Sequence, residues 1–139
     1  LIEACALTGV NLTLSTPPAY KPDGKTLRWA KTQKRAKIEW IGNPQEAVRG
    51  AQILYTDVWT SMGQEREKEK RSKAFRGFQV NAALMKRAAP GAWFMHCLPA
   101  HRGEEVSDEV IDSKQSIVYD QAENRMHVQK AILLHLLKP

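Results

Sequence analysis

The stretch of sequence that decides the fold runs from residue 91 to residue 105 and reads GAWFMHCLPAHRGEE. Its apolar run at residues 92–95 lies between Pro90 and Pro99, which is typical of a short buried strand. A thiol, two imidazoles and a guanidinium follow where this strand ends. In open α/β sheets, ligands bind at the carboxyl ends of the strands. The stretch therefore predicts a buried strand and a ligand site at its end.

The rest of the chain repeats this alternation of short strands and helices. Further strands are predicted by alternation and strand-forming residues at 10–15, 36–41, 51–56 and 116–119. Helices are predicted at 1–8, 25–35, 43–50, 64–72, 81–86, 104–111 and 120–137. This order predicts an α/β fold, namely a doubly wound, mainly parallel five-stranded sheet with helices on both faces.

Helix boundaries have their own local signals. Gly9 suits the left-handed position that closes a helix, and Asn43 before Pro44 is a strong helix start. Asp120 with Glu123 resembles a capping box, which places the start of the last helix there.

Length and composition indicate one ordinary domain over residues 1–139, with 42% hydrophobic and 26% charged residues. No apolar run approaches the ~18 residues of a membrane helix, so no membrane partner is expected. The chain begins with Leu1 inside an apparent helix, from which we expect a piece of a longer chain. Cys5 and Cys97 have no disulfide-framework spacing, which favours a reducing compartment.

The net charge of +6 is concentrated in residues 21–37, where seven basic residues stand against Asp23 alone. Such a run can bind nucleic acid or other phosphate-rich polymers, and this stays open as an alternative. A solvated surface is the commoner explanation of a charge run. Aromatic residues make up 7% and show no RNA-binding pattern, so no nucleic-acid partner is expected.

Asp57 and Ser61 form the first candidate site, in the sequence between the third strand and a helix. A carboxylate at a strand end can bind an ammonium group, and the free N–H groups of the following helix can bind a carboxylate. The two together suit an amino acid. Alternatively, Asp57 only caps a turn and Trp59 packs over it.

Cys97 has three possible roles in a site. As a covalent nucleophile it needs a base, and His96 is poorly placed because neighbours on a strand point to opposite faces. As a metal ligand with His96 or His101 it lacks a fourth partner. As a polar contact in a ligand pocket it needs nothing more. A buried core cysteine is the alternative without function.

Arg125 is predicted to lie in the first turn of the last helix, where the helix dipole does not favour a cation. That makes it a candidate binder of an anion or a carbonyl group. The alternative is a surface ion pair with Glu123 or Glu104.

Three motifs, in this order, resemble those of the ornithine carbamoyltransferase family: DVWTSMGQE (57–65), MHCLP (95–99) and AENR (122–125). The resemblance covers essentially the whole chain and corresponds to the C-terminal, ornithine-binding domain. It implies transfer of a carbamoyl group from carbamoyl phosphate to the δ-amine of L-ornithine, giving citrulline and phosphate in arginine biosynthesis. It also implies that no metal and no organic cofactor take part.

For ornithine, the resemblance implies that Asp57 and Ser61 hold the α-amino group. Ser61 and the backbone of Met62 would lie near the α-carboxylate, and Cys97 beside the δ-amine.

For carbamoyl phosphate, the resemblance implies that Cys97 and the carbonyl of Leu98 lie beside the carbamoyl nitrogen as well as beside the δ-amine. Arg125 would contact the carbamoyl oxygen, where negative charge develops during the reaction. Cys97 and Arg125 are thus the implied catalytic residues.

Family members bind phosphate through a Ser-x-Arg-Thr-Arg loop and a His-Pro-x-Gln motif in an N-terminal domain, and neither motif occurs in this sequence. We therefore expect this domain alone to be inactive, and the parent enzyme to be a cytoplasmic homotrimer or a multiple of trimers. Two alternatives remain: a transcarbamylase acting on another amine such as putrescine, and an amino-acid-binding domain without catalysis.

Overall fold

The computed structural model describes residues 1–60, 63 and 65–138. Within them, the extended segments are β1 (Leu12–Leu14), β2 (Ile38–Trp40), β3 (Ile53–Thr56) and β4 (Trp93–His96). Each lies inside or overlaps a strand predicted from alternation or apolar character.

The strands form two parallel pairs. β1 pairs with β2 from Leu12 opposite Ile38 to Leu14 opposite Trp40. β3 pairs with β4 from Ile53 opposite Trp93 to Thr56 opposite His96. Parallel neighbours need a crossover connection, and helices supply it in both pairs.

The fifth predicted strand, at residues 116–119, is reduced to a single parallel bridge between Ser116 and Phe94. Phe94 receives a hydrogen bond from the N–H of Ile117 at 3.0 Å, and the chain then turns into a helix at Val118. Val118 is 2% exposed and belongs to the core. Its burial in the first helical turn outweighs the preference of a β-branched residue for a strand.

The helices of the described residues are α1 (Ile2–Thr8), α2 (Gly24–Thr32), α3 (Pro44–Ala47), α4 (Lys68–Phe75), α5 (Ala82–Met85), α6 (Asp108–Ile111) and α7 (Val118–Leu136). Short 3₁₀ turns occupy Pro18–Tyr20 and Glu65–Glu67. No helix in this part of the chain combines the length and apolar character needed to cross a membrane.

Two predicted helix boundaries are confirmed. Gly9 closes α1 with a φ of 83°, donating its N–H to the carbonyl of Cys5. Asn43 caps α3 through a 2.9 Å hydrogen bond from the N–H of Gln45, with Pro44 in the first turn.

Two other boundaries are wrong. The last helix begins at Val118 after Ile117, without a side-chain cap, so Asp120 does not begin it. The helix predicted at 104–111 begins only at Asp108, because the Glu105 side chain turns into the protein interior.

Each strand pair has its own apolar core. The larger one surrounds β3 and β4, and its members include Leu54, Phe94 and Val106, with Phe94 and Val106 both at 0% exposure. The smaller one packs Ile38 of β2 against α1 and α2. The larger core therefore fixes the two strands whose ends carry the predicted site.

Candidate active site

The carboxyl ends of β3 and β4 lie side by side, and each is followed by a polar side chain. Thr56 and His96 are the last paired residues of the two strands. Asp57 and Cys97 come next, and the Cys97 thiol donates a hydrogen bond to Oδ1 of Asp57 across 3.0 Å. Strand pairing thus joins two motifs that are 40 residues apart in the sequence.

The Cys97 thiol is a hydrogen-bonding group here and not an activated nucleophile. Burial raises the pKa of Cys97, and the Asp57 carboxylate raises it further. Because the thiolate is the reactive form, a raised pKa keeps the sulfur protonated at neutral pH. Cys97 is only partly buried, which also argues against a purely structural core cysteine.

His96 is fully buried, and both of its ring nitrogens are engaged away from Cys97. Nδ1 accepts a hydrogen bond from the N–H of Leu98 at 2.8 Å. Nε2 lies 3.1 Å from Oε1 of Glu105, which is also fully buried. The same Glu105 oxygen accepts the N–H of His101 at 2.6 Å. His96 is therefore unavailable as a base for Cys97, as strand alternation indicates.

The chain makes a sharp turn after Cys97. Leu98 has a φ of 53°, in the left-handed region that a leucine rarely adopts, and the Leu98–Pro99 peptide bond is cis. The turn directs the chain from β4 along the edge of the site toward His101.

A cleft of about 740 Å³ lies between this turn and the middle of α7. Cys97, Leu98 and Pro99 line one side of it, and side chains of α7 that include Arg125 and Met126 line the other. The structure thus brings together Cys97, Leu98 and Arg125, three of the residues singled out from the sequence.

Arg125 is exposed, and among the residues that the structure describes none pairs with its guanidinium. The two carboxylates considered as partners are engaged elsewhere. Glu123 lies 3.2 Å from Nε2 of His127, and Glu104 lies 3.3 Å from Nζ of Lys68. Arg125 is therefore available to a molecule in the cleft.

The prediction that Arg125 lies in the first turn of the last helix is wrong. α7 begins at Val118, so Arg125 is its eighth residue, about two turns into the helix. The helix dipole acts within the first turn and has no bearing on Arg125.

Asp57 is exposed, and its Oδ1 also accepts the N–H of Val58 at 2.7 Å. Asp57 thus caps a turn, as the alternative without function states. Trp59, which that alternative places over Asp57, stacks on Phe75, with the ring centroids 6.0 Å apart. The two other predicted ornithine contacts, Ser61 and Met62, lie outside the described residues.

Sequence reasoning missed Tyr55 at this edge. Desolvation of its hydroxyl, together with the neighbouring Cys97 and Asp57, raises the pKa of Tyr55 to about 12. Strand alternation could have found it, because residues two apart on a strand lie on the same face. Glu105 was missed as well, and no local pattern in the sequence marks it.

His101, Glu104 and Glu105 form a group of possible metal donors, with their ligand atoms within 4.8 Å of one another. Glu104 is paired with Lys68, and Glu105 accepts hydrogen bonds from His96 and from the backbone of His101. In this structure the two carboxylates of the group are therefore used in hydrogen bonds and ion pairs within the chain.

Some of the basic residues of 21–37 contact other residues of the same chain. Nζ of Lys21 lies 4.5 Å from the ring centroid of Trp40, and Lys37 forms a 2.9 Å ion pair with Glu39. These contacts favour a solvated surface over a docking surface for phosphate-rich polymers.

Comparison with known proteins identifies the family. Residues 1–136 match the family described as aspartate/ornithine carbamoyltransferase, Asp/Orn binding domain. The ornithine carbamoyltransferase of Archaeoglobus fulgidus is 54% identical over 137 residues, which are 99% of this chain and 44% of that protein. The anabolic ornithine carbamoyltransferase of Pyrococcus furiosus is 54% identical over 96% of this chain and 43% of that protein.

Solved structures agree with this match. The structure of ornithine carbamoyltransferase from Pyrococcus furiosus has a TM-score of 0.89 at 51% identity, over 96% of this chain and 44% of that one. A mutant N-acetyl-L-ornithine transcarbamylase structure has a TM-score of 0.83 at 30% identity, over 98% of this chain and 43% of that one. The chain thus spans less than half the length of these relatives.

The predicted α/β fold is confirmed, and it is the fold of a transcarbamylase amino-acid-binding domain. The chain belongs to the Asp/Orn-binding domain family of aspartate/ornithine carbamoyltransferases. The resemblance to ornithine carbamoyltransferases seen in the three sequence motifs is confirmed with it.

Proposed function

We propose that this chain is the ornithine-binding domain of an ornithine carbamoyltransferase. The enzyme transfers the carbamoyl group of carbamoyl phosphate to the δ-amine of L-ornithine and releases citrulline and phosphate, a step of arginine biosynthesis. The observation that carries the proposal is the Cys97–Asp57 contact at the strand edge, facing Arg125 across the cleft.

Ornithine is held by the β3 side of the site. The Asp57 carboxylate binds the α-ammonium group together with Ser61, and Ser61 and the Met62 backbone lie near the α-carboxylate. The exposed position of Asp57 supports this role, because a carboxylate there can accept a charge-assisted hydrogen bond from a ligand. Ornithine then extends toward Cys97, where its δ-amine lies beside the thiol.

The transfer takes place between the turn after β4 and α7. The nitrogen of the neutral δ-amine attacks the carbamoyl carbon, and the carbon–oxygen bond to phosphate then breaks. The departing phosphate takes up the proton that the nitrogen loses. The Leu98 carbonyl accepts hydrogen bonds from the δ-amine and the carbamoyl nitrogen. Arg125 donates to the carbamoyl oxygen, where the tetrahedral intermediate carries its negative charge. The absence of a partner for Arg125 among the described residues 1–60, 63 and 65–138 supports this role.

Carbamoyl phosphate needs a second, phosphate-binding domain, which we propose lies elsewhere in the working enzyme. The match to less than half of each relative supports this arrangement. We further propose that the enzyme is cytoplasmic and acts as a homotrimer or a multiple of trimers. The free thiols of Cys5 and Cys97 fit a reducing compartment, and the trimer rests on the family resemblance.

The test is formation of citrulline from ornithine and carbamoyl phosphate by a polypeptide that carries both domains, and by the 139-residue chain alone. We expect activity only with both domains present. Arg125→Ala should lower kcat by roughly 100-fold or more, as loss of a donor to a developing oxyanion does. Cys97→Ala should also lower kcat.

Lys130→Ala is the matched control, because Lys130 is another cation of α7 beside the same cleft with no assigned role. It should keep most of the activity. If the 139-residue chain alone made citrulline, the proposal that phosphate binds in a second domain would be wrong. A folded two-domain enzyme without citrulline formation would refute the assignment to ornithine.

A further inference from the structure

We propose that His96 and Glu105 are a positioning pair that holds the Leu98 carbonyl in place for carbamoyl transfer. The inference rests on the proposed function, which assigns that carbonyl to the δ-amine and the carbamoyl nitrogen. Neither side chain touches the cleft, and both act through the backbone of the turn.

The hydrogen bonds define the protonation of His96. The N–H of Leu98 can only donate, so Nδ1 of His96 is its acceptor at 2.8 Å and carries no proton. The proton of the neutral ring is therefore on Nε2, which donates to Oε1 of Glu105 at 3.1 Å. Glu105 thereby selects the one tautomer that can bind the Leu98 amide.

Glu105 also ties the far end of the same turn. Its Oε1 accepts the N–H of His101 at 2.6 Å, so one carboxylate oxygen holds both the His96 ring and the chain beyond Pro99. Burial raises the pKa of Glu105, but the hydrogen bonds from His96 and His101 outweigh it and bring the pKa below its usual range. The carboxylate is therefore a charged, fixed acceptor at neutral pH.

Leu98 needs such a restraint because its backbone is in an unfavourable region. A non-glycine residue at a φ of 53° tends to relax to a negative φ, and its peptide groups then rotate. The bond from the Leu98 amide to the ring two residues earlier opposes that rotation. Rotation would move the Leu98 carbonyl out of the position that the proposed function assigns to it, and a misplacement of about 1 Å can slow a reaction about 100-fold.

Stability alone explains this pair poorly. Both side chains are at 0% exposure, and a buried polar pair adds little stability compared with apolar residues of the same size. A positioning role accounts for a buried pair whose bonds converge on the one turn that carries the proposed catalytic carbonyl.

Two substitutions of His96 separate the two bonds. In His96→Asn the amide oxygen replaces Nδ1 and can still accept the Leu98 N–H, whereas the contact to Glu105 is lost. In His96→Gln the longer amide can still reach Glu105, whereas the acceptor for Leu98 is lost. Both variants are measured in the two-domain enzyme, with Val110→Ala as a control that weakens the same core but removes neither hydrogen bond of His96.

We expect His96→Gln to lower kcat about 10- to 100-fold with KM for ornithine within about threefold, since ornithine is anchored at Asp57. His96→Asn should retain most of the activity that His96→Gln loses. Val110→Ala should leave kcat unchanged, although its unfolding midpoint falls by about as much as that of His96→Gln. Equal losses in both His96 variants, or the same loss in Val110→Ala, would overturn the positioning role.

If His96→Gln does not fold, variants of Glu105 test the positioning role instead. Glu105→Gln keeps the oxygen that accepts both hydrogen bonds, so its kcat should stay within about threefold of that of the unsubstituted enzyme. Glu105→Met removes this oxygen, so its kcat should fall about tenfold or more. Equal kcat in these two would also overturn the role.

A second measurement is independent of activity. Hydrogen exchange at the Leu98 amide of the 139-residue chain should be fast in His96→Gln and slow in His96→Asn. An unsubstituted enzyme that makes no citrulline refutes the proposed function, whereas an active one whose His96 variants do not differ refutes only the positioning pair.

Discussion

In the proposed function, Asp57 is the residue that gives the site its preference for an amino acid. Its Oδ1 is occupied by the Cys97 thiol and the Val58 N–H, at 3.0 and 2.7 Å, which fixes the carboxylate while leaving the side chain exposed. A fixed anion at a strand end is suited to an α-ammonium group and discriminates against amines without one. On this proposal the choice of acceptor depends on one charge.

Replacing that charge gives a direct test. Asp57→Asn keeps the size of the side chain and should raise KM for ornithine about 10- to 100-fold, the effect of losing one charge-assisted hydrogen bond. Steady-state kinetics of the two-domain enzyme measure it, with Asp120→Asn as an exposed control of equal charge change. An unchanged KM would mean that Asp57 does not bind the α-amino group.

Tyr55 provides a spectroscopic test of the same edge. Because its pKa is raised to about 12 by desolvation, Cys97 and Asp57, Tyr55 should not ionise in the range where ordinary tyrosines do, around pH 10. The tyrosinate absorbance change between about pH 9 and 11 should therefore be the same in Tyr55→Phe as in the unsubstituted chain. A loss of signal in the variant over this range would show that Tyr55 is freely solvated.

At the scale of elements, the segment between β4 and α6 contains one fully buried carboxylate, that of Glu105. Glu105 has a pKa below its unfolded value of about 4.3. A lowered pKa means that the carboxylate stabilises the fold above the unfolded value. That contribution is lost as the pH falls through the folded pKa.

Urea unfolding of the chain and of Glu105→Gln should show this pH dependence. At pH 7 the variant should be less stable by roughly 1–3 kcal/mol, and the difference should shrink below about pH 4. Glu69→Gln, an exposed substitution on α4, should differ little from the unsubstituted chain at either pH. A constant difference for Glu105→Gln would mean that its charge does not contribute to stability.

Elements with local signals were predictable from the sequence. β3 and β4 follow from alternating or apolar runs, and the ends of α1 and α3 follow from Gly9 and from Asn43 with Pro44. Each of these signals acts through the backbone of its own segment, so no knowledge of the fold is needed.

Other elements depend on contacts distant in sequence. Val118 enters α7 early because the larger core buries it, and α6 starts late because Glu105 reaches back to His96. The position of Arg125 within α7 was wrong for the same reason. For the site, the residue types were predictable, but the Cys97–Asp57 bond exists only through the pairing of β3 with β4.

At the scale of the whole molecule, α7 leaves an extensive apolar surface exposed. Among the described residues, Leu133, Leu134 and Leu136 of α7 are 56%, 69% and 71% exposed, and Leu137 just after the helix is 77% exposed. Large exposed apolar patches mark interaction sites in soluble proteins. This surface supports the proposal that a second domain completes the enzyme.

The central claim, that this domain selects L-ornithine as the carbamoyl acceptor, is tested most directly by comparing acceptors in the two-domain enzyme. The measurement is kcat/KM for carbamoyl transfer to L-ornithine, N-acetyl-L-ornithine, L-aspartate and putrescine under one set of conditions. We expect L-ornithine to exceed each of the others by about 100-fold or more, as a site with paired polar groups discriminates against poorly matched substrates. A higher kcat/KM for any of the other three would contradict the assignment.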